Sequence, residues 1–85
     1  MWEVYILRCS TGELYTGCTV DLKRRVGQHN RGVGSKFTRA RRPVVLVYRE
    51  RCENRSSALR REVQIKRMSR AGKLRLAQTA SAAIE

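Results

Sequence analysis

The sequence is poor in acid. Seven Asp and Glu stand against nineteen Lys and Arg over 85 residues, a formal charge of +12. That imbalance sets aside acidic and neutral binding modules. There is one histidine, and the three cysteines, Cys9, Cys18 and Cys52, include no C-x-x-C pair. A zinc site is therefore not expected, and the cysteines read as buried reduced thiols. The longest apolar run, Val44 to Tyr48, is far too short to span a bilayer. The first residues, Met-Trp-Glu-Val, lack the basic start and long apolar stretch of a signal peptide, so a cytoplasmic protein is expected. Internal repeats are absent, and the length leaves room for one domain.

Against these shortages stands a hydrophobic content of 41%, enough to fold and too much for a disordered basic tail. The charge points to a polyanion, because Lys and Arg release counterions condensed on a nucleic-acid backbone. A surface charged merely for solubility is the plain alternative. The 15 Arg against 4 Lys suit bidentate phosphate contact, although a GC-rich genome gives the same bias. An anionic membrane is the other candidate polyanion, but no basic amphipathic helix with bulky apolar anchors is evident.

Residues 2–8 hold Val4, Tyr5, Ile6 and Leu7 and read as a strand. The turn formers Cys9 to Gly12 lead to a second strand around Leu14-Tyr15-Thr16, which makes a hairpin closed by Gly17. Thr19 or Asp21 can cap a helix to about Asn30, with Gly32 just past its end. Residues 31–43 read as a basic loop. Val44–Tyr48, apolar throughout, reads as a strand in the middle of the sheet. Ser56 or Asn54 caps a second helix to about Met68, and Ser69 a third to about Ala77. Residues 78–85 read as a frayed tail behind a domain of residues 1–77. The order β-β-α-β-α-α predicts an α+β fold, a small antiparallel or mixed sheet covered by helices.

Projecting the helices exposes polar residues on faces meant to bury. Leu22 and Val26 form the first stripe, and Arg25 and His29 share it. In the second helix Ala58, Leu59 and Val63 form the stripe, with Glu62 beside them and Ile65 and Lys66 flanking. Glu62 is the only acid between Arg55 and Ile84. A lone carboxylate facing a core is costly unless it is paired or metal-bound. An Arg25–Glu62 ion pair is the structural alternative. Tyr5 and Tyr15 fall on adjacent hairpin strands, where aromatic pairs are ordinarily packing. Two tyrosines, an arginine, a histidine and a glutamate turned inward on a basic domain suit acid–base and phosphate chemistry.

These residues resemble the GIY-YIG nuclease domain, and in particular its small stand-alone bacterial branch. The resemblance is carried by Glu3-Val4-Tyr5, Tyr15-Thr16-Gly17, Arg25 with His29-Asn30, Lys36-Phe37-Thr38, Arg42-Pro43 and Ala58-Leu59 with Glu62 and Ile65-Lys66. It spans about residues 2–77. Two positions depart from the motif: Glu3 replaces its first glycine and Thr16 its second isoleucine.

The resemblance implies a three-stranded antiparallel sheet flanked by helices and a divalent-metal-dependent endonuclease, with Mg²⁺ or Mn²⁺ and no small-molecule cofactor. Its relatives cut DNA in repair and recombination. Tyr5 and Tyr15 match the motif tyrosines, Arg25 the catalytic arginine, Glu62 the metal-binding glutamate, and His29 a histidine used near the attacking water. On that reading a nearby metal, Arg25 and the dense positive charge together lower a tyrosine pKa from near ~10. Gly17, Lys36, Arg39, Arg41, Arg42 and Lys66 would follow the nucleic-acid backbone, DNA before RNA. A non-catalytic nucleic-acid-binding module on the same fold is the competing class, and a protein-interaction scaffold a third. Oligomeric state is left open.

Overall fold

The structure, a computed structural model, describes residues 1–84, with side chains described through residue 79. Seven elements follow in order: β1 (Trp2–Cys9), β2 (Leu14–Thr19), α1 (Leu22–Asn30), α2 (Lys36–Arg39), β3 (Val44–Cys52), α3 (Arg55–Lys66) and α4 (Arg70–Ile84). The strands form one antiparallel sheet in the order β2-β1-β3.

The middle strand is therefore β1, not the Val44 segment. Val4, Tyr5, Ile6 and Leu7 are each no more than 1% exposed, because helices cover both faces of β1. The apolar run of β3 reaches the edge instead, where Val45 is 52% exposed. An apolar run identifies a strand but not its neighbours, and the two runs compete for one central slot.

One face of β1 carries Tyr5, Leu7 and Cys9, which pack with Leu22 of α1 and Val44. The other carries Val4 and Ile6, which pack with Tyr48 and with Ala58 and Ile65 of α3; Leu76 and Ala77 of α4 close this side. Burying each of these large aliphatic side chains contributes about 1.5–3 kcal/mol. The seven largest fully buried side chains include two polar ones, His29 and Thr38, so the site is part of the core.

Local chemistry sets the helix starts. Asp21 caps α1 by accepting from the Arg24 N–H at 3.1 Å, and Gly32 takes φ +86° just past the C-terminal end. Asn30 then ties α1 to the start of β3, donating to the Val44 carbonyl at 3.1 Å and accepting from its N–H at 2.7 Å. Asn54 caps α3 in a reciprocal box with Ser57. The Ser69 hydroxyl accepts from the Gly72 N–H at 3.0 Å at the start of α4.

Three further expectations shift. The basic loop contains the short α2, because Ser35 accepts from the Thr38 N–H at 3.1 Å and starts a turn. The inner stripe of α3 is Ala58 and Ile65 with Arg61 and Glu62 half-buried, whereas Leu59 and Val63 are 42% and 46% exposed. Small Ala58 seats the helix against the sheet, and Arg61 reaches Glu50 on β3 at 3.0 Å, which sets the phase. Finally, α4 continues to Ile84 rather than ending near Ala77; the expected fraying of the tail falls, beyond Thr79, outside the residues described with side chains.

Candidate active site

The β1–β2 register places Tyr5 opposite Gly17 and Leu7 opposite Tyr15. The two tyrosines are thus diagonal neighbours on the face that α1 covers. Tyr5 is 1% and His29 0% exposed, and the Tyr5 hydroxyl lies 3.0 Å from His29 Nε2. His29 Nδ1 lies 2.7 Å from the Thr38 hydroxyl. The Tyr15 ring meets His29 edge-on at 5.0 Å and stacks on Phe37 at 5.9 Å.

Two glycines make room for this pair. A Cβ on Gly17 would stand 2.5 Å from the Tyr5 hydroxyl oxygen, and one on Gly34 would stand 2.4 Å from His29 Nδ1. The gap over Gly17, expected to admit a phosphate, is filled by Tyr5. Gly34 carries no signal in the sequence because its partner, His29, is set by the fold and not by the residues beside it.

Arg25 lies beside this pair. Its guanidinium donates to the Gly34 carbonyl and to Gln28 Oε1, both at 3.1 Å. An open hollow of about 370 Å³ lined by Cys18, Arg24, Arg25 and Gln28 adjoins it. Burial pushes the Tyr5 phenol up to about 12 despite the opposing pull of Arg25. Removal from water outweighs one partly buried guanidinium, so Arg25 by itself does not bring the Tyr5 phenol down. Burial, and then the charge of Arg25, holds His29 below its ordinary value, so the imidazole is neutral at pH 7.

Glu62 approaches from the other side of β2. Its side chain is 18% exposed, and Oε2 accepts from Lys66 Nζ at 2.8 Å. Cys18 bonds to the same carboxylate, and burial followed by that bond raises the thiol to about 11. Lys66 senses both Tyr15 and Cys18, and Tyr5 senses Tyr15 and Cys18, so the two halves of the site meet across the edge strand. The alternative, an Arg25–Glu62 ion pair, is not formed; each finds a partner on its own helix.

The basic residues divide. Lys36, Arg39 and Arg42 are exposed, with Arg42 Nε donating to the Arg39 carbonyl at 2.9 Å. Arg41 is committed elsewhere: it pairs with Glu13 at 2.9 Å and lies 3.9 Å over the Phe37 ring. These contacts join the hairpin to α2. Lys66 is bound to Glu62.

The two departures from the motif are also placed. Glu3 is 7% exposed and pairs with Arg49 on β3 at 2.7 Å, along the strand from Tyr5. Thr16 is 4% exposed opposite Ile6, and its hydroxyl has no partner among the described residues. All three cysteines are free thiols, Cys9 buried and the other two half-buried.

Among the described residues no three or more His, Cys, Asp and Glu gather to hold a metal ion. Glu62 offers a hard carboxylate oxygen at the site, while Asp21, which also lines the hollow, caps α1. That fits Mg²⁺, which is commonly bound by one or two carboxylates with water and substrate phosphate supplying the rest.

Three strands, helices on both faces and a Tyr–His–Arg cluster facing a glutamate across an edge strand define a small α+β domain built around one polar corner. A family model described as the GIY-YIG catalytic domain matches residues 1–75, and the chain belongs to that family, a family of nucleases. It is 56% identical over 73 residues to UPF0213 proteins of Staphylococcus aureus strains Mu50 and N315, covering 86% of this chain and 89% of each relative. The solution NMR structure of a UPF0213 protein from Bacillus halodurans is similar at 39% identity and a TM-score of 0.61, covering 95% of this chain and 87% of that one. No helix among the described residues is long and apolar enough to cross a membrane.

Proposed function

We propose that this protein is a divalent-metal-dependent endonuclease that hydrolyses phosphodiester bonds, most naturally of DNA, and serves repair or recombination in the cytoplasm. The reading rests on one observation: a buried Tyr5–His29 hydrogen bond, held between Gly17 and Gly34 and next to Arg25, faces Glu62 across β2.

Glu62 would hold the Mg²⁺ or Mn²⁺, which supplies Lewis acidity to the phosphate. Arg25, beside the open hollow, would bind a non-bridging oxygen and stabilise its growing charge. The Tyr5 oxygen accepts a proton from the attacking water while its own proton passes to His29 Nε2. The hydroxide so formed bonds to phosphorus, and the leaving oxygen departs with the electrons of the broken P–O bond and takes a proton from solvent; the imidazolium then returns its proton to Tyr5, which releases the water-derived proton to solvent. A phenol with a raised pKa is acceptable in such a relay, because it never carries a full charge. Lys36, Arg39 and Arg42 hold the flanking backbone.

A panel of flap, nicked, branched and single-stranded DNA with matching RNA, each with Mg²⁺, Mn²⁺ or EDTA, tests the proposal. Cleavage in the metal arms alone supports it. Tight, salt-sensitive binding without cleavage in any arm establishes the non-catalytic module instead.

A further inference from the structure

His29 is the one histidine of the chain and is wholly buried, so its tautomer is set by its neighbours. A neutral imidazole carries one N–H and one lone pair. Tyr5 and Thr38, at its two nitrogens, each hold one proton and can donate or accept. Two directions are possible for the whole line, and the ends of the line choose between them.

At the Tyr5 end stands the Arg25 guanidinium, a donor that cannot accept. The phenol proton cannot go there. If His29 Nε2 were also a donor, the buried Tyr5 O–H would have no acceptor. At the Thr38 end the hydroxyl has three neighbours: His29 Nδ1, the Ser35 hydroxyl at 2.9 Å and the Ser35 carbonyl at 3.4 Å. The carbonyl only accepts, so it takes the Thr38 proton. Ser35 Oγ already accepts from the Thr38 N–H at 3.1 Å, which leaves its own proton free to go to Thr38. The two Thr38 lone pairs then receive the Ser35 O–H and the His29 Nδ1–H. Only this direction matches every donor with an acceptor: Tyr5 O–H to Nε2, Nδ1–H to Thr38, Thr38 O–H to the Ser35 carbonyl.

We propose that Thr38, itself placed by Ser35, is a positioning residue that accepts the His29 Nδ1 proton and thereby keeps the Nε2 lone pair open toward Tyr5. Its catalytic meaning rests on the nuclease reading above; its effect on the tautomer does not. Thr38 touches no substrate. It acts by fixing which nitrogen can take the proton that Tyr5 passes on, and the low basicity of the buried ring keeps that nitrogen empty until it is used.

The solitary histidine makes the test unambiguous. Long-range ¹H–¹⁵N spectra of the ¹⁵N-labelled protein should show a protonated Nδ1 and an unprotonated Nε2 in the wild type. Thr38→Val removes the acceptor while keeping the shape; either tautomer then leaves one donor unpaired, so the proton should be shared between Nδ1 and Nε2. Thr38→Ser should restore the wild-type pattern. Single-turnover cleavage should fall about 10²-fold in Thr38→Val, with KM little changed, and return in Thr38→Ser. A wild-type Nε2–H tautomer, or a Thr38→Val spectrum identical to wild type, overturns the proposal. Should Thr38→Val not fold, the wild-type and Thr38→Ser spectra still decide the direction of the line. The expected spectra in a protein that cuts no substrate would overturn the nuclease reading and leave Thr38 as the keeper of the tautomer.

Discussion

The two sides of β2 are built on different terms. On the α1 side, Tyr5, His29 and Thr38 are buried, and each donor has one acceptor. On the α3 side, Glu62 is bonded to a half-exposed lysine one turn away and to a thiol. The first arrangement is expensive to disturb and arrives preset. The second consists of contacts that a cation or a phosphate can replace at small cost. A site that must fix a proton path and also admit a charged substrate gains from keeping those two tasks on opposite sides of one strand.

The largest test of this contrast is Glu62→Gln. Lewis-acid help is worth several kcal/mol, and each ~1.4 kcal/mol is tenfold in rate, so cleavage should fall by at least ~10³-fold. Yet an exposed i,i+4 pair stabilises by only ~0.3–0.5 kcal/mol, so the melting temperature should move by no more than ~4 °C. Melts and single-turnover assays on one preparation check both; a badly destabilised variant that still cuts when folded would make Glu62 a structural residue and end the contrast.

Tyr5→Phe should do the opposite, costing stability and rate together. It leaves His29 Nε2 without its donor, a loss of about 1–3 kcal/mol, and should slow the chemical step by roughly 10²–10⁴-fold. Its pH signature follows from the raised phenol. In the window from pH 10 to about 12 the unfolded chain has lost the proton and the folded one has kept it. Stability is therefore fully present below pH 10 and declines as pH rises through that window. Tyr48, also raised to about 12, adds a second such contribution, so Tyr5→Phe should flatten the alkaline decline in part. On the acid side the lowered His29 makes the unfolded chain the better proton acceptor, and stability should fall below about pH 6.5 in both proteins. Equal alkaline declines in the two proteins would show that Tyr5 is not the buried phenol described.

The smallest effect sharpens the contrast among the arginines. Neutralising Arg39 and Arg42 should reduce the log–log salt dependence of duplex binding by about 0.9 for each phosphate that no longer meets a cation. Arg41→Gln should leave that slope alone and cost little stability through its solvent-screened pair with Glu13. A flattened slope in Arg41→Gln alone would move the binding surface to the hairpin.

What can be read from the sequence is what is local. The hairpin, the Asp21 and Asn54 caps and Gly32 at the end of α1 are each decided within a few residues. The inward turn of His29 follows from helix period, and so does that of Glu62, though its stripe is built from other residues than the apolar spacing suggests. Leu59 and Val63 are spaced as a buried pair should be, yet a small alanine and an arginine reaching Glu50 set the phase. The central strand is not legible because two apolar runs qualify and only the assembled helices choose between them. Ser35 and Thr38 are hidden inside a polar segment, since a buried hydroxyl has no signature until its partner is known. The raised Tyr5 pKa is not legible because the surrounding charge is visible in composition and burial is not.

Gly17 and Gly34 shape the cleft around the phenol and imidazole by omission, and this gives the site an unusual hereditary character. A glycine has nothing to shed: any replacement adds atoms where there is no vacancy. Drift at these two codons can only crowd the site. Once crowded, the site reopens through reversion to glycine or through a simultaneous retreat of Tyr5 or His29. A lineage that lost either glycine would be expected to lose the histidine or tyrosine beside it soon afterwards, since each keeps its place only while the other leaves room.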